Sequence, residues 1–284
     1  MSPFGFDIGR TVAMVAVIAV VGYVVLGGLL YIFQSHLIYA PRREIIATPA
    51  SSGLQFEEVS FACADGTRLS GWWVPSGQAE WTVLFCHGKG GNISYYLPPV
   101  EVFNDLGLNV LVFDYRGYGM SGGTPGERGT YLDTEAAWNY LVRERGLDAS
   151  RIVVCGRSLG GPMAAWLASR RQPAGLLLEA TFTSIPELGQ ELYPLFPIRL
   201  LARYDYDTLE YVPRKSCPLL VVHSRGDRLI SFEHGRRLYE AAAEPKEFLE
   251  ISGDHAIGFE TSEKLYSEGV AAFLTELGLP RASE

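Results

Sequence analysis

The chain has 284 residues, 48% hydrophobic and 20% charged, with 24 Lys and Arg against 32 Asp and Glu for a net charge of −8. That length suits one or two ordinary domains whose core needs neither disulfide nor metal, and the acidic balance excludes a nucleic-acid binder, which presents a clustered basic face. Aromatic residues at 12% exclude disorder, and four cysteines (Cys63, Cys86, Cys155 and Cys217) without a CxxC pair exclude a zinc knuckle or a dense disulfide framework.

Thr11–Phe33 is 23 residues without one charge. As a helix it spans roughly 34 Å, slightly more than the ~30 Å hydrocarbon core of a bilayer. A cleaved secretory signal fits poorly. The run is too long, the start carries Asp7 with Arg10, and the best small residue for cutting, Ala40, is followed by Pro41. The expectation is a membrane protein with a retained single-pass N-terminal anchor (11–33) behind a tail (1–10), then a juxtamembrane linker (34–52) and one folded domain (53–280). Arg42 and Arg43 outweigh Arg10, which leans the folded domain toward the cytoplasm under the positive-inside rule. Tyr31, His36 and Tyr39 resemble an interfacial belt. Ala13, Ala16, Ala19 and Gly22 allow weak homodimer contact between two anchors, although no GxxxG stands in the span.

Beyond the linker, Phe56–Cys63 and Thr67–Val74 predict two strands joined at Ala64-Asp65-Gly66. Thr82–Cys86, Asn109–Phe113, Arg151–Cys155 and Gly175–Leu178 are unbroken apolar runs, the pattern of strands buried on both faces of a parallel sheet. Pro218–Val222 and Glu247–Ile251 continue the series. Helices are predicted over Ser94–Leu106, Tyr131–Arg145, Leu159–Arg170, Phe232–Ala243 and Ser262–Leu277. The alternation implies an α/β fold, a mostly parallel eight-stranded sheet with helices on both faces. Thr181–Pro213, rich in Pro and aromatics, is too long for one crossover and reads as a cap insertion above the sheet. Within it, Phe182, Tyr193 and Phe196, with Leu195, Ile198 and Leu200, are candidates to line an apolar pocket facing the bilayer; ordinary packing of the cap is the alternative.

Two segments match G-x-S-x-G, and context separates them. Gly156-Arg157-Ser158-Leu159-Gly160 follows a strand and opens an alanine-rich helix, as a nucleophile elbow requires. Gly119-Met120-Ser121-Gly122-Gly123 sits in a glycine-rich loop with no helix after it, so Ser121 is expected to be structural. A serine hydroxyl needs a base to take its proton. In folds carrying this elbow an acid follows the serine and a histidine follows the acid. His36, His87 and His223 stand too early, and His234 lies in a predicted helix where a surface position is expected. That leaves His255, in Gly253-Asp254-His255 after the last strand, with Asp227 at the end of the strand before it; Asp254, Asp205 and Asp207 are weaker candidates. Backbone donors for an oxyanion are expected from Leu159, next after the nucleophile, and from Lys89 in His87-Gly88-Lys89-Gly90-Gly91-Asn92. No Gly-Lys-Ser/Thr ends that loop, so it is not a phosphate cradle.

His87-Gly88…Gly91-Asn92, Asp114-Tyr115-Arg116-Gly117-Tyr118-Gly119, Gly156–Gly160, Gly226-Asp227 and Gly253-Asp254-His255, in this order, resemble the α/β-hydrolase superfamily over roughly residues 40–278. More narrowly they resemble its membrane-anchored serine hydrolases, the α/β-hydrolase-domain group that includes protein depalmitoylases. The likeness extends to Thr183-Ser184-Ile185 and Tyr204-Asp205-Tyr206-Asp207. In that branch Asn-Asp commonly follows the catalytic histidine, whereas Ala256-Ile257 follow here. The resemblance implies the α/β-hydrolase fold and a serine ester hydrolase of the esterase, lipase or thioesterase type, with Ser158, His255 and Asp227 as its triad. Lipid esters or acylated substrates are the expected partners. The Arg116–Gly119 loop is implied to be a structural turn, and no metal or organic cofactor is implied. A peptidase or amidase on the same residues, or a non-catalytic receptor with this fold, are the alternatives. Haloalkane dehalogenase chemistry is disfavoured because the elbow holds Ser rather than Asp.

Overall fold

A computed structural model describes residues 8–77 and 79–279. Most of the tail expected over 1–10, Asp7 included, therefore lies outside the described residues. The chain opens with α1 (Ile8–Ile32), 25 residues long and apolar enough to cross a membrane, with only Gly27 buried. After a turn at Phe33 comes the short α2 (Gln34–Ile38). The stretch 34–52 read as a linker is ordered: past α2, Ala40–Pro41 pairs in parallel with Gly90–Gly91.

Eight strands form one sheet: β1 (Glu57–Ala62), β2 (Arg68–Val74), β3 (Thr82–Cys86), β4 (Asn109–Phe113), β5 (Ile152–Arg157), β6 (Gly175–Glu179), β7 (Leu219–Ser224) and β8 (Lys246–Ile251). Their order across the sheet is β8-β7-β6-β5-β3-β4-β2-β1. From β8 to β4 all neighbours are parallel, and β2 runs antiparallel to both β4 and β1. Strands β3, β4, β5, β6 and β7 are buried at every position, which is why their sequences do not alternate. In the half-exposed β1, the polar and apolar residues do alternate.

The helices divide between the faces. One core joins the sheet to α4 (Glu127–Asn139), α5 (Gly160–Ala168) and α9 (Phe232–Ala241) through Trp138, Met163, Leu167 and Leu238. The opposite core holds α3 (Leu97–Asp105) and α11 (Glu263–Glu276), which bring Phe103, Tyr266 and Phe273. The cap contains α6 (Ile185–Leu192), α7 (Ile198–Leu201) and α8 (Thr208–Tyr211). A short α10 (Gly258–Thr261) precedes α11.

Three sequence expectations need correction. The helix expected from Ser94 starts at Leu97, because Pro98 and Pro99 tolerate only the first turn and a 3₁₀ turn occupies Ile93–Tyr95. Helix α4 starts at Glu127, not Tyr131, and widens into a π turn over Tyr140–Glu144. His234 is buried rather than superficial, with Thr183 Oγ1 2.8 Å from its Nδ1. All four cysteines are buried free thiols; Cys86 and Cys155, on neighbouring strands, point into opposite cores and cannot pair.

Candidate active site

Strand register brings four loops together at one end of the sheet. Cys86 pairs with Gly156, so the segments leaving β3 and β5 emerge side by side. Ile251 pairs with Ser224, so the segments leaving β8 and β7 do the same.

Between β5 and α5 the backbone turns at Ser158, which holds φ 53°, a left-handed conformation that costs a non-glycine residue free energy. Its amide donates to Glu179 O (2.9 Å), and Thr181 Oγ1 donates to its carbonyl (2.7 Å). The flanking glycines are steric necessities. A Cβ on Gly156 would lie 2.5 Å from Gly160 O, and one on Gly160 would lie 1.9 Å from Cys86 O. Ser158 therefore stands at the N-terminus of α5 with its hydroxyl presented outward. The other match differs: Ser121 is buried, accepts from Ser70 N–H (2.9 Å) and donates to Asp114 O (2.6 Å). It fastens a loop.

His255 Nε2 lies 3.0 Å from Ser158 Oγ, and its Nδ1 lies 2.7 Å from Asp227 Oδ2. Asp227 Oδ1 accepts from the amides of Leu229 (2.9 Å) and Ile230 (2.8 Å). Burial pushes the Asp227 carboxyl up, but the His255 contact and the two amides outweigh it and hold it below its ordinary value. An ionised carboxylate only accepts, so Nδ1 carries the hydrogen and Nε2 is free to accept from the serine hydroxyl. Asp254 is turned away, paired with the Arg228 guanidinium (2.8 Å to Nε), which pulls it down to about 2. Asp207 caps α8, accepting from Glu210 N–H (2.8 Å). Buried His223 stands 3.7 Å from Asp227 Oδ2 and donates through Nε2 to Ile230 O (3.0 Å); burial lowers its pKa.

The Leu159 and Lys89 N–H groups find no acceptor among the described residues. The Lys89 carbonyl is gripped from behind by Ala40 N–H (3.1 Å) and Tyr118 O–H (2.9 Å). Gly88 packs closely here: a Cβ would sit 2.9 Å from Tyr96 Oη and 3.4 Å from Ser158 Cβ, so the tyrosine would have to shift.

Two cavities meet at Ser158. One, of about 440 Å³, runs under the cap between Phe182, Leu188, Tyr193 and Ile198 on one side and Leu30 and Leu37 on the other. Phe182 and Tyr193 are thus cavity residues. Phe196 is not: its ring stacks on Tyr23 of α1 at 4.9 Å. Leu195 and Leu200 are 81% and 85% exposed. The second cavity, about 320 Å³, is more polar and lies between Tyr96, Arg157, His255 and Glu260. Among the described residues no cluster of three His, Cys, Asp or Glu side chains is placed to hold a metal.

Sequence reasoning passed over one network. Arg157, inside the elbow motif, is buried and pairs with its cross-strand partner Glu179 (3.3 Å). It donates to Ala256 O (2.8 Å) and covers the Phe259 ring at 4.7 Å, while Tyr266 O–H donates to Glu179 Oε2 (3.0 Å). The signal was the single charge ending each apolar run, Arg157 on β5 and Glu179 on β6.

A strand-turn-helix elbow carrying serine, with a histidine and an acid from two later loops, is the arrangement of α/β hydrolases. Comparison with known proteins agrees. Residues 77–205 match the family model described as serine aminopeptidase, S33. The α/β-hydrolase domain-containing protein WAV2 of Arabidopsis thaliana is 32% identical over 247 residues, 78% of this chain and 80% of its own. The uncharacterized protein Rv2307c of Mycobacterium tuberculosis is 35% identical over 92% of this chain and 94% of its own, and the uncharacterized membrane protein YNL320W of Saccharomyces cerevisiae 30% identical over 74% and 78%. Among solved structures, the Pyrococcus furiosus esterase Pf2001 has the same fold, with TM-score 0.72 at 24% identity over 84% of this chain and 98% of that one. The chain belongs to the α/β-hydrolase family.

Proposed function

We propose that the chain is a membrane-anchored serine hydrolase that cleaves carboxylic esters or thioesters of acyl lipids or acylated substrates. The observation that carries this is the hydrogen-bonded line Asp227–His255–Ser158 opening on an apolar cavity under the cap. In this reading the acyl chain lies under the cap and the leaving group in the more polar cavity. Ser158 Oγ attacks the acyl carbonyl as its proton passes to His255 Nε2. The Leu159 and Lys89 amides bind the oxyanion, helped by the positive end of α5. His255 then protonates the leaving oxygen or sulfur, a water attacks the acyl-enzyme with His255 as base, and the acid departs.

The lipid preference is supported by where the cap sits. Tyr23 donates to Leu195 O (2.8 Å), nine residues or about 13 Å of helix before the end of α1. Ending the bilayer short of Tyr23 would leave only Ile8–Gly22, roughly 22 Å, against a ~30 Å hydrocarbon core. If α1 spans, the tip of the cap is in the acyl region with it, on the side that Arg42 and Arg43 lean toward the cytoplasm. YNL320W is itself named a membrane protein.

The test is Ser158→Ala with a fluorophosphonate probe and a chain-length series of p-nitrophenyl esters. Labelling should vanish and kcat fall ~10⁴-fold or more; activity retained in the variant refutes the nucleophile, and exclusive preference for acetate refutes the acyl-lipid substrate. A peptidase is the second reading, favoured by the aminopeptidase description of the matching family model and by Glu260 in the polar cavity. Aminoacyl p-nitroanilides turned over faster than any ester would establish it.

A further inference from the structure

The segment joining α1 to the folded domain does more than connect them. Ala40 N–H donates to Lys89 O (3.1 Å) and Arg42 N–H to Gly91 O (2.8 Å), so the chain after α2 adds a short parallel ladder to the loop that carries Lys89. On its other side Arg42 O accepts from Gly119 N–H (2.9 Å), and the Arg43 guanidinium donates to Gly119 O (3.1 Å) and Ser121 O (2.6 Å). Asn92 Nδ2 closes the assembly on Arg42 O (3.0 Å) and Glu44 O (2.6 Å). Just before this ladder, Leu37 and Ile38 line the cavity that reaches Ser158, and Lys89 Nζ donates to Leu37 O (3.2 Å). The loop itself is glycine on both sides of Lys89, and Gly91 holds φ 79°. The Lys89 N–H belongs to the Gly88–Lys89 peptide, whose Gly88 O lies 2.7 Å from His87 Nδ1, and the ladder holds the next peptide through Lys89 O. With glycine on both sides offering little resistance to rotation, the backbone at Lys89 is set by these grips together.

We propose that residues 34–43 are a working part of the active site: by holding Lys89 O and Gly91 O they clamp the peptide that follows Lys89 and so keep its N–H from rotating out of the oxyanion-binding direction, and Leu37 and Ile38 wall the acyl cavity. The inference rests on the hydrolase reading above, with Ser158 as nucleophile and Lys89 as donor. Turnover then depends on the seating of a segment continuous with α1.

The decisive variant is Ala40→Pro in the full chain in detergent micelles. It deletes the N–H that holds Lys89 O, and Tyr39, at φ −112° and ψ 135°, already has the extended backbone that a residue before proline requires. Against Ala40→Ser, which keeps the donor, kcat for p-nitrophenyl butyrate should be at least ~10-fold lower with KM within about three-fold. Fluorophosphonate labelling should slow in parallel. Complete loss of an oxyanion donor, ~10²–10³-fold, is the upper bound. Equal kcat and labelling in the two variants overturns the positioning role. Tyr118→Phe removes the other donor to Lys89 O and should also lower kcat; if Ala40→Pro has no cooperative melting transition, Arg43→Gln, which frees the segment from Gly119 O and Ser121 O, is read instead, and unchanged kcat there overturns the proposal. Leu37→Trp should lower the dodecanoate-to-butyrate ratio of kcat/KM at least ~10-fold, and an unchanged ratio removes the segment from the cavity wall. A wild type that takes no label at Ser158 overturns the hydrolase reading and this inference with it; a labelled wild type with equal Ala40 variants overturns the inference alone.

Discussion

Arg157 should matter twice, once for stability and once for turnover. The Arg157–Glu179 pair is buried, with Nε 3.3 Å from Oε1. At an effective dielectric near 20 the attraction is about 5 kcal/mol, largely offset by removing two charges from water. Arg157→Met leaves the carboxylate buried with Tyr266 O–H as its remaining strong partner. Breaking such a pair from one side costs about 3–5 kcal/mol. Adding Glu179→Gln removes the stranded charge while keeping the acceptor for Tyr266, so the double variant should recover most of that loss. Turnover should respond differently. Arg157 also holds Ala256 O at 2.8 Å, one residue past His255. Without the guanidinium, the one hydrogen bond left between the histidine loop and the elbow among the described residues is that of His255 with Ser158. Misplacement by about 1 Å can cost ~10²-fold, so kcat should fall ~10–100-fold in the single and double variants alike, with KM little changed. Urea unfolding and ester kinetics on all three proteins make the test. A single variant within about 1 kcal/mol of wild type, or a double variant that regains both stability and kcat, refutes the argument.

Ser121→Ala should destabilise by about 1–3 kcal/mol, because Ser70 N–H and Asp114 O lose their partner, while kcat for short esters in the folded fraction stays unchanged; a large drop in kcat would return Ser121 to the chemistry. Asp114 is held up to about 7 by burial, beside a His87 that burial pulls down to about 4. At Asp114 the folded chain therefore keeps a proton that the unfolded chain loses near pH 4, so this group's contribution to stability falls as pH rises from about 4 to about 7, while His87, neutral in the folded chain, contributes in the opposite sense between about 4 and 6.5. Asp114→Asn should gain on the order of 2–4 kcal/mol relative to wild type between pH 4 and pH 8, and a pH-independent gap in urea unfolding refutes this. Leu195→Cys labelled with nitrobenzoxadiazole, in vesicles, should be quenched by lipids carrying a nitroxide on the acyl chain; a water-exposed, unquenched label places the cap outside the bilayer.

How much of this was legible beforehand depended on whether one residue pattern had one physical cause. The five fully buried strands were readable because a strand covered on both faces has no reason to alternate. Ser158 and Ser121 were separable because only a strand entering and a helix leaving create the crowding that requires glycine at 156 and 160, where a Cβ would strike main chain. His234 was not readable: its helix exposes Glu233 and Arg236, but the neighbouring turn faces the cap, and burial there follows from the insertion rather than from the helix's own period. Glu127 likewise looked like loop, yet its carboxylate accepts from the amides of Asp205 and Tyr206, 78 and 79 residues away. Contacts of that range leave no periodic trace in a sequence.

The same reasoning explains why residues 34–43 looked like a linker. A connecting segment is normally judged by its lack of hydrophobic period, and a two-residue ladder has none to display. What marks Ala40–Arg43 as structural is the partner, a glycine-rich loop whose direction is set by the groups that bond its carbonyls, Ala40 and Arg42 N–H among them. An enzyme that needs a close approach of backbone to a developing oxyanion uses glycine beside the donor, and glycine leaves the donor's orientation to its surroundings. Here the surroundings are the chain that descends from α1. The charge pattern agrees: Arg43 is exposed, yet its guanidinium donates to two carbonyls of the folded domain, Gly119 O and Ser121 O, so it is not simply a counter-charge for lipid headgroups. Arg43→Gln should therefore lower thermal stability and kcat together while leaving vesicle binding intact, whereas a purely interfacial arginine would show the reverse.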